Sequence, residues 1–314
     1  MLSLSKFWKR KMLNRRILRI KAFKVIYSRT ENVTMTLKEG EAQLELSCEA
    51  TRDLYLFLLS IVEAVTREAE NRINAAMGKF NPTEEELNPN LKFTRNRIAS
   101  ILSNDPDFLK IVKKKKLSWE QYDVLLRHLY DTIKTRDYYK QYMVSPSDSL
   151  EEDAALWRAI FENEFEDNDE LEAILEDLCI WWNDDLAYAL NWCCRTMDEL
   201  GKGSQWELLP LYMSQLSEKA ESDKAFITKV LRTAFANYDN YVARIAETTT
   251  KWDSTRICAT DLSLIVAGLA ESEAFPKMAS GIIINEYVEI SKFYSTPESR
   301  AFVNGILDKL INTE

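Results

Sequence analysis

The chain is expected to fold as an all-α protein, and three observations carry that expectation. Gly and Pro number seven each in 314 residues, too few to supply a turn after every strand. Hydrophobic residues make up 46%, enough for a sizeable core and too many for a disordered chain. Apolar residues also recur at helical spacing along most of the length.

Residues 1–13 read as a basic tail. A helix is predicted over 14–28, because Leu18, Ala22 and Val25 fall at i, i+4 and i+7, with Asn14 as its N-cap. Residues 30–40 are polar and read as a loop. Helical patterning resumes over 42–76 and stops around Gly78, Pro82 and Pro89. Further helices fit 94–103, 118–134 and 151–164. Residues 113–116 are four consecutive lysines, read as a solvated helix end or loop, with an auxiliary electrostatic patch as the alternative.

Residues 151–185 carry fourteen carboxylates against the single Arg158, yet Leu171, Ile174, Leu175 and Leu178 keep helical spacing. The acids are therefore the wet side of amphipathic helices rather than a catalytic pair. Gly201-Lys202-Gly203 is the clearest internal break and lacks the spacing of a phosphate-binding loop. Helices then fit 207–220, 223–237, 240–248, 260–271, 276–294 and 297–311. The last has Thr296 as N-cap, Pro297 at its first position and Glu298 in its first turn. Leu156, Trp157, Ile160, Phe161, Phe165 and Trp182 match Phe226, Ile227, Val230, Leu231, Phe235 and Trp252 at an offset of 70. An internal duplication and two unrelated amphipathic segments both explain this.

The formal charge of −9 hides a division. Residues 1–30 hold ten basic side chains and no acid, while the other 284 residues hold 31 basic and 50 acidic groups. Such a protein would meet nucleic acid through one end rather than its whole surface. A single histidine, His128, excludes His-rich zinc sites and leaves one candidate for any His-based triad. Cys48, Cys179, Cys193, Cys194 and Cys258 are odd in number without a C-x-x-C, which points to reduced, buried thiols in a cytosolic protein. The longest apolar run, 54–62, is far short of the ~20 residues a membrane helix needs. The start has no signal-peptide pattern, though its acid-free basic composition leaves a transit peptide open.

Residues 284–293 read Ile-Asn-Glu-Tyr-Val-Glu-Ile-Ser-Lys-Phe, and 302–310 read Phe-Val-Asn-Gly-Ile-Leu-Asp-Lys-Leu. This resembles the end of the NusB transcription antitermination factors, which close on INEAVELAK, a short loop and FVNGVLDKL. Arg15-Arg16-x-x-Arg19-x-x-Ala22-x-x-x-Ile26-Tyr27 resembles the family's first helix, with Leu18, Ile20 and Lys24 as departures. Residues 226–244, with Trp252, Asp261, Leu264, Ile265 and Glu271, follow its middle helices. Val266 stands where the family has Arg, and Ala279 where it has Pro. The resemblance covers about 14–29 and 205–314.

The resemblance implies a NusB-like helical bundle with an additional helical lobe. Residues 14–30 would be its first helix, 31–200 a helical insertion, and 201–314 the remainder of the core. Loop-closure entropy grows slowly enough with length to allow that topology. It implies a cytoplasmic, non-enzymatic factor without cofactor. It would bind boxA-type single-stranded RNA together with the ribosomal protein NusE and join the elongation complex of RNA polymerase. Arg15, Arg16, Arg19, Phe293, Arg300 and Phe302 are the implied RNA residues, charges for phosphates and aromatics for bases. Core packing is the other reading of the two Phe residues. Asp261 is the implied NusE contact; a helix N-terminal acid is its other reading. Gly305 would permit a close helix contact. Homo-oligomers through the RNA face are admitted by the resemblance, and a membrane partner is not.

Two competing readings stay open. One is a protein-interaction scaffold that keeps the fold but binds RNA weakly. The other, an RNA cytosine methyltransferase behind such a domain, lacks a Gly-rich cofactor loop and a cysteine nucleophile motif.

Overall fold

The computed structural model describes residues 12–182, 184–212, 222–249 and 257–312. Among them there are fifteen α-helices, one 3-10 turn and no strand. The helices are α1 (Arg15–Glu31), α2 (Leu37–Met77), α3 (Glu84–Leu87), α4 (Arg97–Ser103), α5 (Pro106–Lys115), α6 (Asp123–Thr135), α7 (Asp137–Val144), α8 (Leu150–Asn163), α9 (Asp169–Leu178), α10 (Leu186–Gly201), α11 (Asp223–Ala236), α12 (Tyr238–Thr248), α13 (Ala259–Ala274), α14 (Ser280–Tyr294) and α15 (Pro297–Asn312). The chain divides into two compact units, one made of residues up to Glu49 and from Leu209 on, the other of Ala50–Leu208.

In the first unit α13 is the hub. It touches α1, α11, α12, α14 and α15, and Leu264, Ile265, Val266, Ala267 and Leu269 are buried along it. Val266, where the family has Arg, is thus a core residue and not part of a surface. A Cβ on Gly268 would come within 2.7 Å of Leu307 Cδ2, so the α13–α15 contact depends on the missing side chain. Gly305 plays no such part: a Cβ there meets nothing within 4 Å, which corrects the close contact expected of it.

α1 starts where the sequence puts it, with the Asn14 side chain accepting the Ile17 N–H at 2.9 Å. Leu18, Ala22 and Val25 are fully buried. The loop expected over 30–40 is shorter. Thr36 and Glu39 cap α2 reciprocally, Thr36 N–H to Glu39 Oε2 at 2.7 Å and Glu39 N–H to Thr36 Oγ1 at 3.3 Å. Gly40 then lies inside the helix, because an added Cβ would stand 2.7 Å from the Phe235 ring of α11. Glu41 pairs with Arg232 and Glu45 with Lys224 along the same crossing.

The basic tail needs correction at its end. Met12 and Leu13 are buried, and their N–H groups donate to Pro210 and Leu211 carbonyls at 2.9 and 3.0 Å. The helix expected over 207–220 is not formed in 207–212, where those carbonyls serve the N-terminal segment instead. Residues 213–221, like the tail before Met12 and Trp252, lie outside the described residues.

In the second unit α8 packs on α10, with Gly201 2.9 Å by its absent Cβ from Ala154, and on α4 and α7. Phe57 stacks on Trp119 at 3.9 Å between centroids. Phe93 meets Tyr130, Tyr139 and Trp157. Four helices escaped sequence reading, α3, α5, α7 and α10. α5 is opened by Asp105, whose side chain accepts from Asp107 and Phe108, with Pro106 at the first position. α7 follows Arg136 with no gap after α6. The lysine run is the end of α5. The cysteines are all free, but Cys258 is exposed and Cys179 half-buried, so burial is not common to the five.

Candidate nucleic-acid interface

The three arginines of α1 have different surroundings. Arg19 is 5% exposed, and its Nε and Nη2 donate to Glu271 of α13 at 2.8 and 2.6 Å. Its Nη1 donates to Glu286 of α14 at 3.3 Å, and the Tyr287 hydroxyl donates to Glu271 at 2.9 Å. Burial pulls the Arg19 pKa down, but the hydrogen bonds and charge of Glu271 outweigh it and leave it raised. Burial, together with Glu271, raises that of Tyr287 well above the phenol range. Arg19 is therefore a strut between three helices.

Arg16 keeps 49% of its side chain exposed and grips Glu286 through Nε and Nη2 at 3.0 and 2.8 Å. That bidentate pair raises Arg16 and lowers Glu286 from their ordinary values. Arg15 points elsewhere, toward α11, with its guanidinium 4.5 Å from the Phe226 ring and its Nε 3.5 Å from Asp223.

Farther along α1, Phe23 lies 5.3 Å from Tyr294 and the Lys24 ammonium 5.6 Å from the same ring. α1 and α14 thus run side by side in the same direction, Arg16 by Glu286 and Phe23 by Tyr294. Next to Tyr294, Phe293 is 82% exposed. Arg300 is exposed and Phe302 half-buried. The Glu289 carboxyl is held below its usual range by Lys292 first, with Arg16 and Arg300 adding their charge. Arg16, Lys292, Phe293 and Arg300 therefore gather around one strip of α14. Lys24, Lys292 and Tyr294 were missed; Lys24 lies two helical turns from Arg16, a signal the spacing held.

Asp261 sits in the first turn of α13, is 5% exposed and accepts a hydrogen bond from the Ser295 hydroxyl. Its carboxylate ties the start of α13 to the loop before α15. Among the described residues there is no cluster of His, Cys, Asp and Glu able to hold a metal, and no helix long and apolar enough to cross a membrane. His128 is exposed and 3.0 Å from Glu170.

The NusB family model matches residues 187–312, beginning inside α10 and so reaching into the second unit. The chain is similar to the transcription antitermination protein NusB of Alkaliphilus oremlandii, 34% identical over 94 residues, 30% of this chain and 68% of the relative. That of Koribacter versatilis is 27% identical over 112 residues, 36% and 77% of the two chains. That of Acetivibrio thermocellus is 29% identical over 116 residues, 37% and 79%. No solved structure matches the chain significantly. With two thirds of a relative covered at that identity, and with the helix hub α13 inside the matched residues, the chain belongs to the NusB family.

Proposed function

We propose that this protein is a cytoplasmic, non-enzymatic, RNA-binding antitermination factor that takes boxA-type single-stranded RNA together with NusE and joins the RNA polymerase elongation complex. The observation that carries the reading is the strip along α1 and α14. Arg16, Lys24, Lys292 and Arg300 lie along the strip that also carries Phe293, 82% exposed. Cations supply phosphate contacts, and an exposed aromatic side chain supplies stacking to an unpaired base.

Within that proposal the residues take different parts. Arg16, Phe293 and Arg300 touch RNA, with Phe302 beside them and Arg15 at the margin. Arg19 acts by holding Glu286 and α13. Asp261 serves NusE by fixing the Ser295 loop through its hydrogen bond. Residues 31–200 are read as an insertion between the first helix and the rest of the core, shortened at its end by the family match that begins at 187.

A scaffold with weak RNA binding remains the rival, favoured by the internal pairing of Arg16 and Arg19. The test is titration of a boxA-type RNA with the full chain, with and without NusE, at several salt concentrations. Binding that steepens with lower salt and weakens in Arg16→Gln with Arg300→Gln supports the RNA reading. Salt-insensitive or absent binding, unchanged in that variant, rejects it in favour of the scaffold.

A further inference from the structure

We infer a second single-stranded nucleic-acid surface, in the other compact unit and made of none of the residues of the α1–α14 strip. It is the lysine-rich end of α5. Lys110, Lys113, Lys114 and Lys116 are all exposed, and among the described residues none of them forms an ion pair. Lys115 alone of the run does, with Asp53 at 2.9 Å. This unit is otherwise acidic. Its 50–208 span holds 19 basic and 31 acidic residues, so these four cations are a local exception. A cation in the last turn offsets the helix dipole, but four unpaired ones exceed that need and repel each other.

The chain ends α5 in a way that spreads the lysines over two faces. Lys116 adopts the left-handed conformation, φ 56°, its N–H donating to the Lys113 carbonyl and that of Leu117 to Val112. The backbone turns off the helix there. On one side of the run, Lys110 and Lys114 line a cleft of about 480 Å³ with Ile111, Leu208 and the Trp206 ring, and with Asp107 and Glu207 at its edge. On the other, Lys116 lines a cleft of about 300 Å³ with Phe57, Leu117, Leu178 and Trp182. Leu178 is 41% exposed at this second rim, and Ile180, two residues on, is 74% exposed.

A cationic ridge flanked by two clefts fits a strand whose phosphates follow the lysines; Phe57, Trp182 and Trp206 form the cleft floors, 1%, 5% and 7% exposed, so the bases meet the apolar cleft mouths at Ile111, Leu117 and Leu178. The two carboxylates at the first cleft oppose a phosphate inside it, which keeps the backbone on the ridge. A double helix keeps its bases stacked inside and gains only the lysine contacts.

The test is binding of oligouridylate to the full chain carrying Lys→Gln at 110, 113, 114 and 116, beside a separate Arg16→Gln with Arg300→Gln variant. For single strands the slope of log affinity against log salt changes by about 0.7 per phosphate contact, so the four-lysine variant loses a slope of roughly 3 and on the order of tenfold in affinity. Photocrosslinking with thiouridine-labelled RNA then marks peptides spanning 106–121, 178–182 or 206–208. If the four-lysine variant keeps wild-type affinity and slope while the 16/300 variant loses both, this surface is overturned and the earlier reading stands; the converse upholds this surface and removes the other. Equal affinity for polyphosphate of matched charge also overturns it, because the clefts would then contribute nothing.

Discussion

Arg19 and Arg16 both bear on Glu286, and the fold assigns them different energies. In Arg19→Ala, the fully buried Glu271 keeps only the Tyr287 hydroxyl as donor. Leaving one member of a buried pair uncompensated costs about 3–5 kcal/mol. At ~2–4 °C per kcal/mol for a domain of this size class, the melting transition of the first unit falls by roughly 6–20 °C. Arg16→Ala breaks a pair whose arginine is half exposed, worth about 0–1 kcal/mol. The decisive construction is Arg19→Met with Glu271→Leu and Tyr287→Phe. It removes both charges and the hydroxyl that would be orphaned, and restores stability to within about 1–2 kcal/mol of wild type. Urea denaturation followed by circular dichroism, with a local fluorescence probe on the first unit, reads all three. Should Arg19→Ala unfold together with Arg16→Ala, the strut assignment is wrong. Should the triple variant be no better than Arg19→Ala, the cost did not come from an unpaired charge.

Three further outcomes follow from particular contacts. Gly268→Ala should destabilise by about 1–3 kcal/mol through overpacking against Leu307 and Tyr287, while Gly305→Ala, in open space on α15, should stabilise by about 0.5–1 kcal/mol; equal effects in thermal melts would contradict the packing described. Phe293→Ala should leave the melt unchanged and weaken boxA-type RNA by about 1–3 kcal/mol of lost stacking, read by fluorescence anisotropy; a stability loss instead would put Phe293 in the core. Glu286 has its folded pKa lowered by Arg16, burial opposing and Arg19 assisting, so its stabilisation is complete above the ordinary carboxyl value near 4.5 and is lost as pH falls below it. Acid titration of Glu286→Gln should accordingly show a shallower decline below that pH than wild type, and parallel curves would remove Glu286 from the account.

Much of the architecture could be read from local pattern. Asn14, Thr296 and Pro297 mark helix ends because a cap is a short-range hydrogen bond that composition alone can announce. Leu18, Ala22 and Val25 mark a buried face because helical period is local too. What local pattern could not provide was the difference between Arg16 and Arg19. Both are arginines three residues apart on a basic helix, and only Glu271, 252 residues away from Arg19 in sequence, makes one a strut. The same holds for Gly268 and Gly305, whose roles depend on where Leu307 packs. Asp105-Pro106 was a legible start for α5 that the lysine run obscured, since a block of like charges reads as loop when it is in fact a helix end. Thr36 and Glu39 were equally legible as a capping box, but the polar segment around them concealed it.

The shared carboxylate of Glu286 gives the strip a chemical logic. A phosphate that takes Arg16 must displace a bidentate carboxylate, and in an ordinary ion pair that would leave the acid uncompensated beside an incoming anion. Here the acid stays paired, because Arg19 Nη1 already donates to it at 3.3 Å from beneath. Arg19 can hold both Glu271 and Glu286 because the guanidinium offers five N–H donors in a fixed fork, which a lysine in its place could not reproduce. The buried arginine thus allows the exposed one to change partners without stranding a charge, and it does so while never leaving the core. In the proposed RNA reading, phosphate would take the place of Glu286 at Arg16 while Glu286 keeps its bond to Arg19.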